Sequence, residues 1–203
     1  MRILAIDCAT EACSVALFEG SSLCGSHHEV LGRGHAERLV PMIKELPGNG
    51  RADEIRIGRG PGSFTGTRIG LATARALGIA WKAEVRGLPT LALVAATNCD
   101  LDGPVTVCMA GGHGEWLVQN FGADRRPQDD PQSLPPDRAV KAALHSAIFG
   151  NRAADLAQAL GDPAVRVNAF LPDARNALQV PEELLTPELS PIYAREPDAK
   201  LPA

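Results

Sequence analysis

The residue pattern predicts an α/β fold in which two or three helices lie against a mixed sheet. Three observations carry this. Short apolar runs at residues 3–6, 13–18 and 23–29 open the chain as a strand meander broken by turn signals. Segments with helical spacing, 35–46 and 67–82, then alternate with further strand-like runs at 54–57 and 84–88. A strand–turn–strand start recurs at residue 105, a sign of internal duplication.

In order, Asp7 ends the first run, residues 7–12 form its hairpin turn, and 19–22 form the second turn. The first helix carries apolar residues at 36, 39, 40, 43 and 46, and Pro47-Gly48-Asn49-Gly50 stops it. The second carries Ile69, Leu71, Ala72, Ala76, Leu77, Ile79 and Ala80, with small residues that permit close helix packing. A third helix opens at Pro89-Thr90 and runs to about Thr97, and residues 98–104 read as a boundary. Beyond it, 105–109 and 115–121 form a hairpin, the charged and proline-rich 122–136 a loop, 137–145 a helix and 147–149 a strand. Asn151 reads as the cap of a helix ending at Leu160. After that only Ile192 and Tyr193 suggest regular structure.

With 203 residues and 45% hydrophobic content, the chain can build a sizeable core as one domain or two small ones. Net charge is −4 and no polybasic run occurs, which argues against direct gripping of RNA or DNA but not against membership of an RNA-handling complex. The opening apolar run is too short for a signal peptide, and no stretch is long enough to span a bilayer. The five cysteines, at 8, 13, 24, 99 and 108, form no C-x-x-C pair. They read as reduced core fillers of a cytoplasmic protein, with Cys8, beside the first turn, the candidate for a reactive thiol.

Five glycines, at 58, 60, 62, 66 and 70, crowd the segment between the fourth strand and the second helix. Glycine admits sharp turns and close backbone approach, and a helix start offers free N–H groups to an anion. The segment lacks the Lys-Ser/Thr pair of a Walker loop, and Gly60, Gly62 and Gly66 miss the dinucleotide spacing by one residue. Two readings stay open: a phosphate cradle, or a rigid turn whose helix is capped by Ser63 or Thr65. Residues 61–65 do not form the G-x-S-x-G elbow of a serine hydrolase. The histidines, at 27, 28, 35, 113 and 145, include no pair four apart, so no metal ligand is assigned; His35 reads as a helix-start residue and candidate cap.

Four segments carry a family resemblance: Met1-Arg-Ile-Leu-Ala-Ile-Asp-Cys-Ala-Thr-Glu-Ala-Cys-Ser-Val-Ala16, Gly58-Arg-Gly-Pro-Gly-Ser-Phe-Thr-Gly-Thr-Arg-Ile-Gly70, His35-Ala-Glu-Arg-Leu-Val-Pro41 and Ser190-Pro-Ile-Tyr-Ala-Arg195. They resemble the TsaB (YeaZ) family, closely over the first 90 or so residues and patchily afterwards. The resemblance implies an actin-like ATPase (ribonuclease H-like) fold of two lobes, residues 1–100 and a reduced 101–203, with mixed sheets flanked by helices. It implies a non-catalytic subunit of the complex that forms N6-threonylcarbamoyladenosine at position 37 of tRNA. The partners it implies are a TsaD-like transferase that carries the chemistry and a TsaE-like ATPase, with tRNA met only through the complex. It gives this chain no catalytic residue and no cofactor of its own, and leaves open a nucleotide at a subunit junction and a homodimer when alone.

Relatives of that fold bind ATP between one hairpin of each lobe. The resemblance makes Asp7, Thr10 and Ser14 vestigial phosphate-loop candidates, beside a glycine-rich turn of Gly60, Pro61, Gly62, Ser63, Phe64, Thr65 and Gly66. In the second hairpin Ala110 and Gly112 stand where many family members carry Asp and Arg, so half of the clamp reads as lost. The family pairs through its first two helices, which makes His35, Arg38, Leu39, Met42, Ile43, Arg68, Leu71, Ala72 and Arg75 interface candidates. The competing account spends both helices on the chain's own core. The competing functions are an actin-type small-molecule kinase or ATPase and, less favoured, a glycoprotease-like peptidase.

Overall fold

The computed structural model describes residues 1–97 and 103–195. Strands β1 (Arg2–Asp7), β2 (Ala12–Glu19) and β3 (Ser22–Val30) form an antiparallel meander in which Asp7 lies opposite Ser14. Strand β4 (Glu54–Gly58) pairs parallel with β1, and β5 (Glu84–Leu88) parallel with β4. Parallel neighbours need crossovers, which α1 (His35–Glu45) and α2 (Phe64–Trp81) supply. The order is therefore β3-β2-β1-β4-β5.

Both faces of this sheet are covered, which is why β2 is buried at every residue except Glu19. On one face Leu4, Ile6, Val15, Leu17, Ile55 and Ile57 pack against Leu39, Met42 and Ile43 of α1 and Leu71 and Ala74 of α2. On the other, Ile3, Ala5, Ala16 and Phe18 share a core with α3 (Thr90–Ala95) and with Val105, Val107, Phe121 and Phe149 of the second half.

The second half repeats the plan. Strands β6 (Val105–Ala110), β7 (Trp116–Phe121) and β8 (Gln132–Leu134) are antiparallel, while β9 (Ala147–Phe149) runs parallel to β6 and β10 (Arg166–Asn168) parallel to β9. The order β10-β9-β6-β7-β8 is that of the first sheet read from its other edge, so the duplication hinted at in the sequence is real at the level of topology. Helices α4 (Pro136–Ala142) and α5 (Ala153–Leu160) cover the outer face through Ala139, Ala153 and Leu156. The reduction lies in strand length, since β8, β9 and β10 have three residues each.

Several expectations are corrected. The proline-rich 122–136 stretch contains β8, and β10 sits in a tail with no strand signal; three residues are too few to register a period. Asn151 does not cap α5. Its Oδ1 accepts the Ala110 N–H at 2.8 Å and its Nδ2 donates to Glu11 Oε1 at 2.8 Å. Helix α2 starts at Phe64, three residues early, because Ser63 is its cap and accepts from Gly66 N at 3.2 Å. Ile192 lies outside any strand, in a strap along the first sheet's edge, where its N–H donates to Arg59 O at 2.8 Å. The boundary expected at 98–104 falls mostly outside the described residues.

The glycine run has a packing explanation. A Cβ on Gly62 would lie 2.0 Å from Ala9 O, and one on Gly66 2.0 Å from Cys8 O. The β4–α2 loop is seated directly on the backbone of the β1–β2 turn, and the Ser63 N–H donates to Ala9 O at 2.6 Å. Helix propensity alone says that Gly66→Ala stabilises α2 by about 1 kcal/mol. The seat predicts the opposite sign, a loss of about 2 kcal/mol or more in urea unfolding, because backbone atoms cannot yield as a side chain can. Gly112→Ala, with open space around it, stays within about 0.5 kcal/mol of the parent.

Candidate functional site

The first hairpin's polar groups are already spent inside the chain. Asp7 is buried at the end of β1. Its Oδ1 accepts the Ala9 N–H at 2.9 Å and its Oδ2 accepts the Thr90 hydroxyl at 2.8 Å. Thr90 Oγ1 in turn accepts the Gly60 N–H at 3.1 Å. Burial pushes the Asp7 carboxyl up to about 6, against the pull of those two hydrogen bonds. Thr10 Oγ1 accepts the Ala12 N–H within the turn at 3.2 Å. Ser14 Oγ accepts the Ala174 N–H at 2.8 Å, which ties the C-terminal segment to β2. The three phosphate-loop candidates thus lie near one another and each holds protein.

Across from them, the 111–114 turn is closed by Gly111 N–H to Glu115 O at 2.8 Å, and Glu115 accepts the Ser133 hydroxyl at 2.7 Å. Ala110 and Gly112 bring no ionisable side chain to it. The hairpin turns are linked through Asn151, bonded to Glu11 on one side and to the Ala110 N–H on the other. Among the described residues no three His, Cys, Asp or Glu side chains are placed to hold a metal ion. No helix there is long and apolar enough to cross a membrane.

His35 is corrected from a cap to a tether. The N-cap position of α1 is Gly34, with no side-chain bond, and His35 Nε2 donates instead to Thr10 O at 2.9 Å. Leu39, Met42, Ile43 and Leu71, named as interface candidates, are likewise buried in the chain's own core and present nothing to a partner. The arginines are committed nearby. Arg38 bonds Glu29 and Glu45, at 2.8 and 2.7 Å. Arg68 lies 3.4 Å over the Phe64 ring and donates to Tyr193 Oη at 3.0 Å, and Arg75 donates to Leu189 O at 3.0 Å. Both hold the strap beside α2.

Of the apolar interface candidates only Ala72 faces outward, and it does so with residues that the candidates did not include. Gly66, Gly70, Leu71, Ala74 and Gly78 face the sheet, while Ala72, Ala76, Ile79 and Ala80 are exposed, Ile79 at 82%. Positions 72, 76 and 79 share one face of a helix. The signal was present in the sequence: α2 is apolar over more of its circumference than one sheet contact can cover. A separate cleft of about 450 Å³, lined by His28, Thr97, Phe170, Leu171, Asp173 and Asn176, had no sequence signal because its walls come from distant segments.

Two mixed sheets of one topology, flanked by helices and joined by a shared core, make this an actin-like ATPase (ribonuclease H-like) fold. The TsaD family model, described as tRNA N6-adenosine threonylcarbamoyltransferase, matches residues 21–132, more than half of the chain. The chain is 43% identical over 100 residues to the Escherichia coli tRNA threonylcarbamoyladenosine biosynthesis protein TsaB, a match over 47% of this chain and 43% of that one. The Haemophilus influenzae protein of the same name is 40% identical over 102 residues, 47% of this chain and 41% of that one. The matched part is thus less than half the length of these two relatives. The solved YeaZ from Pseudomonas aeruginosa superposes with a TM-score of 0.79 at 27% identity, over 95% of this chain and 99% of that one. The chain belongs to the family that the model describes, and its similarities place it with the TsaB (YeaZ) proteins.

The buried Asp7 gives a pH prediction. Its folded value, about 6, is above the ordinary 3.8, so between these values the folded state holds the proton more tightly than the unfolded one. This group's stabilising contribution is therefore full below 3.8 and is lost as pH rises through about 6. Relative to Asp7→Asn, the parent should lose on the order of 3 kcal/mol in urea unfolding between pH 3.5 and 7.5. Parallel stability curves for the two proteins would show that Asp7 ionises freely.

Proposed function

We propose that this chain is a docking subunit of the cytoplasmic machinery that forms N6-threonylcarbamoyladenosine at position 37 of tRNA. In this reading it binds a TsaD-like transferase through the outer face of α2 and performs none of the transfer chemistry. The carrying observation is the exposed face of Ala72, Ala76, Ile79 and Ala80 on a helix whose other side is already packed. Small residues let a partner helix approach closely, and Ile79 supplies an aliphatic anchor near the end of the helix. Val40 and Pro41 are also exposed on the neighbouring α1, together with the charged Glu37 and Lys44.

The reading draws on the names of the relatives, which place TsaB proteins in threonylcarbamoyladenosine biosynthesis. It also draws on the match to the TsaD model, which spans both helices. A partner built on the same plan offers equivalent helices, so the pair can close as a pseudo-twofold bundle. The same face would pair two copies of this chain when the partner is missing. The net charge of −4 fits a subunit that meets tRNA only through its partners, and a TsaE-like ATPase, with a nucleotide at a subunit junction, would complete the assembly.

Ile79→Glu tests the reading, because an 82%-exposed side chain can be charged without disturbing the core. Its melting temperature should match the parent's, and its affinity for the TsaD-like transferase should fall at least about 30-fold. Undiminished binding, or a transferase that modifies tRNA at full rate without this chain, would overturn the proposal.

A further inference from the structure

We propose that Cys8 and Cys13 are a peroxide-oxidisable dithiol that closes to a disulfide across the β1–β2 turn. The two residues flank the turn one rung beyond the Asp7–Ser14 pair, so they face each other across the turn end of the hairpin. Their sulfurs are 3.6 Å apart and both side chains are buried, with Leu39 and Leu71 in the same core cluster. A disulfide needs about 2.05 Å between sulfurs, so a combined movement of about 1.5 Å closes the bond.

The two thiols are not equivalent. The contact between the two sulfurs holds the Cys13 thiol below its ordinary range, while that same contact, together with burial, raises Cys8. Cys13, the thiol lowered by the contact, is taken as the nucleophile and Cys8 as the resolving thiol. Burial keeps larger disulfide reagents out, which leaves hydroperoxides, close to water in size, as the matching oxidant class. The Cys13 thiolate attacks one peroxide oxygen, the O–O bond breaks, and the departing hydroxide takes a proton to become water. The Cys8 sulfur then attacks the Cys13 sulfenic sulfur, the S–S bond forms, and the second hydroxide leaves as water with the Cys8 proton. The two cysteines lose two electrons and the peroxide gains two.

The movement reaches α2. The Cys8 carbonyl lies where a Cβ on Gly66 would be, and the Cys8 side chain lies under Gly70. Drawing Cys8 toward Cys13 therefore shifts the seat of the first helical turns. The other described cysteines lack this arrangement: Cys24 is exposed, and burial pushes the Cys108 thiol up to about 12.

The test treats the full chain with hydrogen peroxide, alkylates it with N-ethylmaleimide under denaturing conditions and digests it with a glutamyl endopeptidase. Glu11 and Glu19 place Cys8, Cys13 and Cys24 on separate peptides. The Cys8 and Cys13 peptides should emerge joined and two hydrogens lighter, and Cys13→Ser should leave Cys8 alkylated. Full alkylation of both at a peroxide dose that oxidises exposed Cys24, or a Cys13 sulfinic acid beside an intact Cys8, would overturn the proposal. Amide exchange over residues 64–70 should be faster in the oxidised chain and return after reduction; equal rates would overturn the coupling to α2. Where α2 docks a partner, as proposed above, oxidation should weaken capture of the TsaD-like transferase. Equal capture by the reduced and oxidised chains overturns that regulation, whereas capture by neither overturns the docking reading itself.

Discussion

The first sheet and its helices depend on how closely two stretches of backbone approach each other. Between the glycines at 62 and 66 and the carbonyls of Cys8 and Ala9 there is no room for a β-carbon. That contact sets where α2 begins, and its continuation through Gly58, where a Cβ would meet Asp7 Oδ2, shuts Asp7 away from water. Backbone seated on backbone is stiff, since neither side has a rotamer to change. A helix held this way presents a fixed outer face, which suits the docking role proposed for it.

The same contact accounts for the glycine-rich loop. Phosphate loops spend glycines to bring N–H groups to an anion. Here Ser63 N–H is bonded to Ala9 O, Gly60 N–H to Thr90, and Gly66 N–H to Ser63 Oγ. The acid that would serve a metal is engaged by Ala9 and Thr90. The strap at 186–194 adds a further hold: Thr186 bridges to Gly87, Arg59 donates to Glu188 O at 2.8 Å, and Ser133 N–H returns to Ala194 O at 3.3 Å. Just upstream of it, Glu182 meets both Arg86 and the Arg56 that pairs with Glu54 in the interior. Such a buried ion pair adds little net stability, but breaking it leaves a charge unpaired.

Much of the first half was legible in the sequence, because β1, β2, α1 and α2 are long enough for a hydrophobic period and are punctuated by glycine and proline. The motif residues also pointed to the family. Strands β8 and β10 were not legible, since three residues carry no period and their place is fixed by pairing with β7 and β9. Asn151 read as a cap because its type and position fit one, and only tertiary contact shows it spanning from Ala110 to Glu11. The outer face of α2, proposed above to dock a partner, was half legible. Helical spacing marks which residues share a face, but it cannot say which face the sheet takes, so Leu39, Met42, Ile43 and Leu71 were offered to a partner and Ile79 was not. The Cys8–Cys13 pair escaped because its proximity comes from hairpin register and not from a sequence motif.

The loop and hairpin groups of an actin-like cradle are bonded within this chain. Calorimetric titration of Mg-ATP into the isolated protein tests this most directly. No binding heat is expected at concentrations where a working clamp, with a dissociation constant near or below about 1 μM, would saturate. Saturable one-to-one binding in that range, accompanied by ATP turnover, would contradict it.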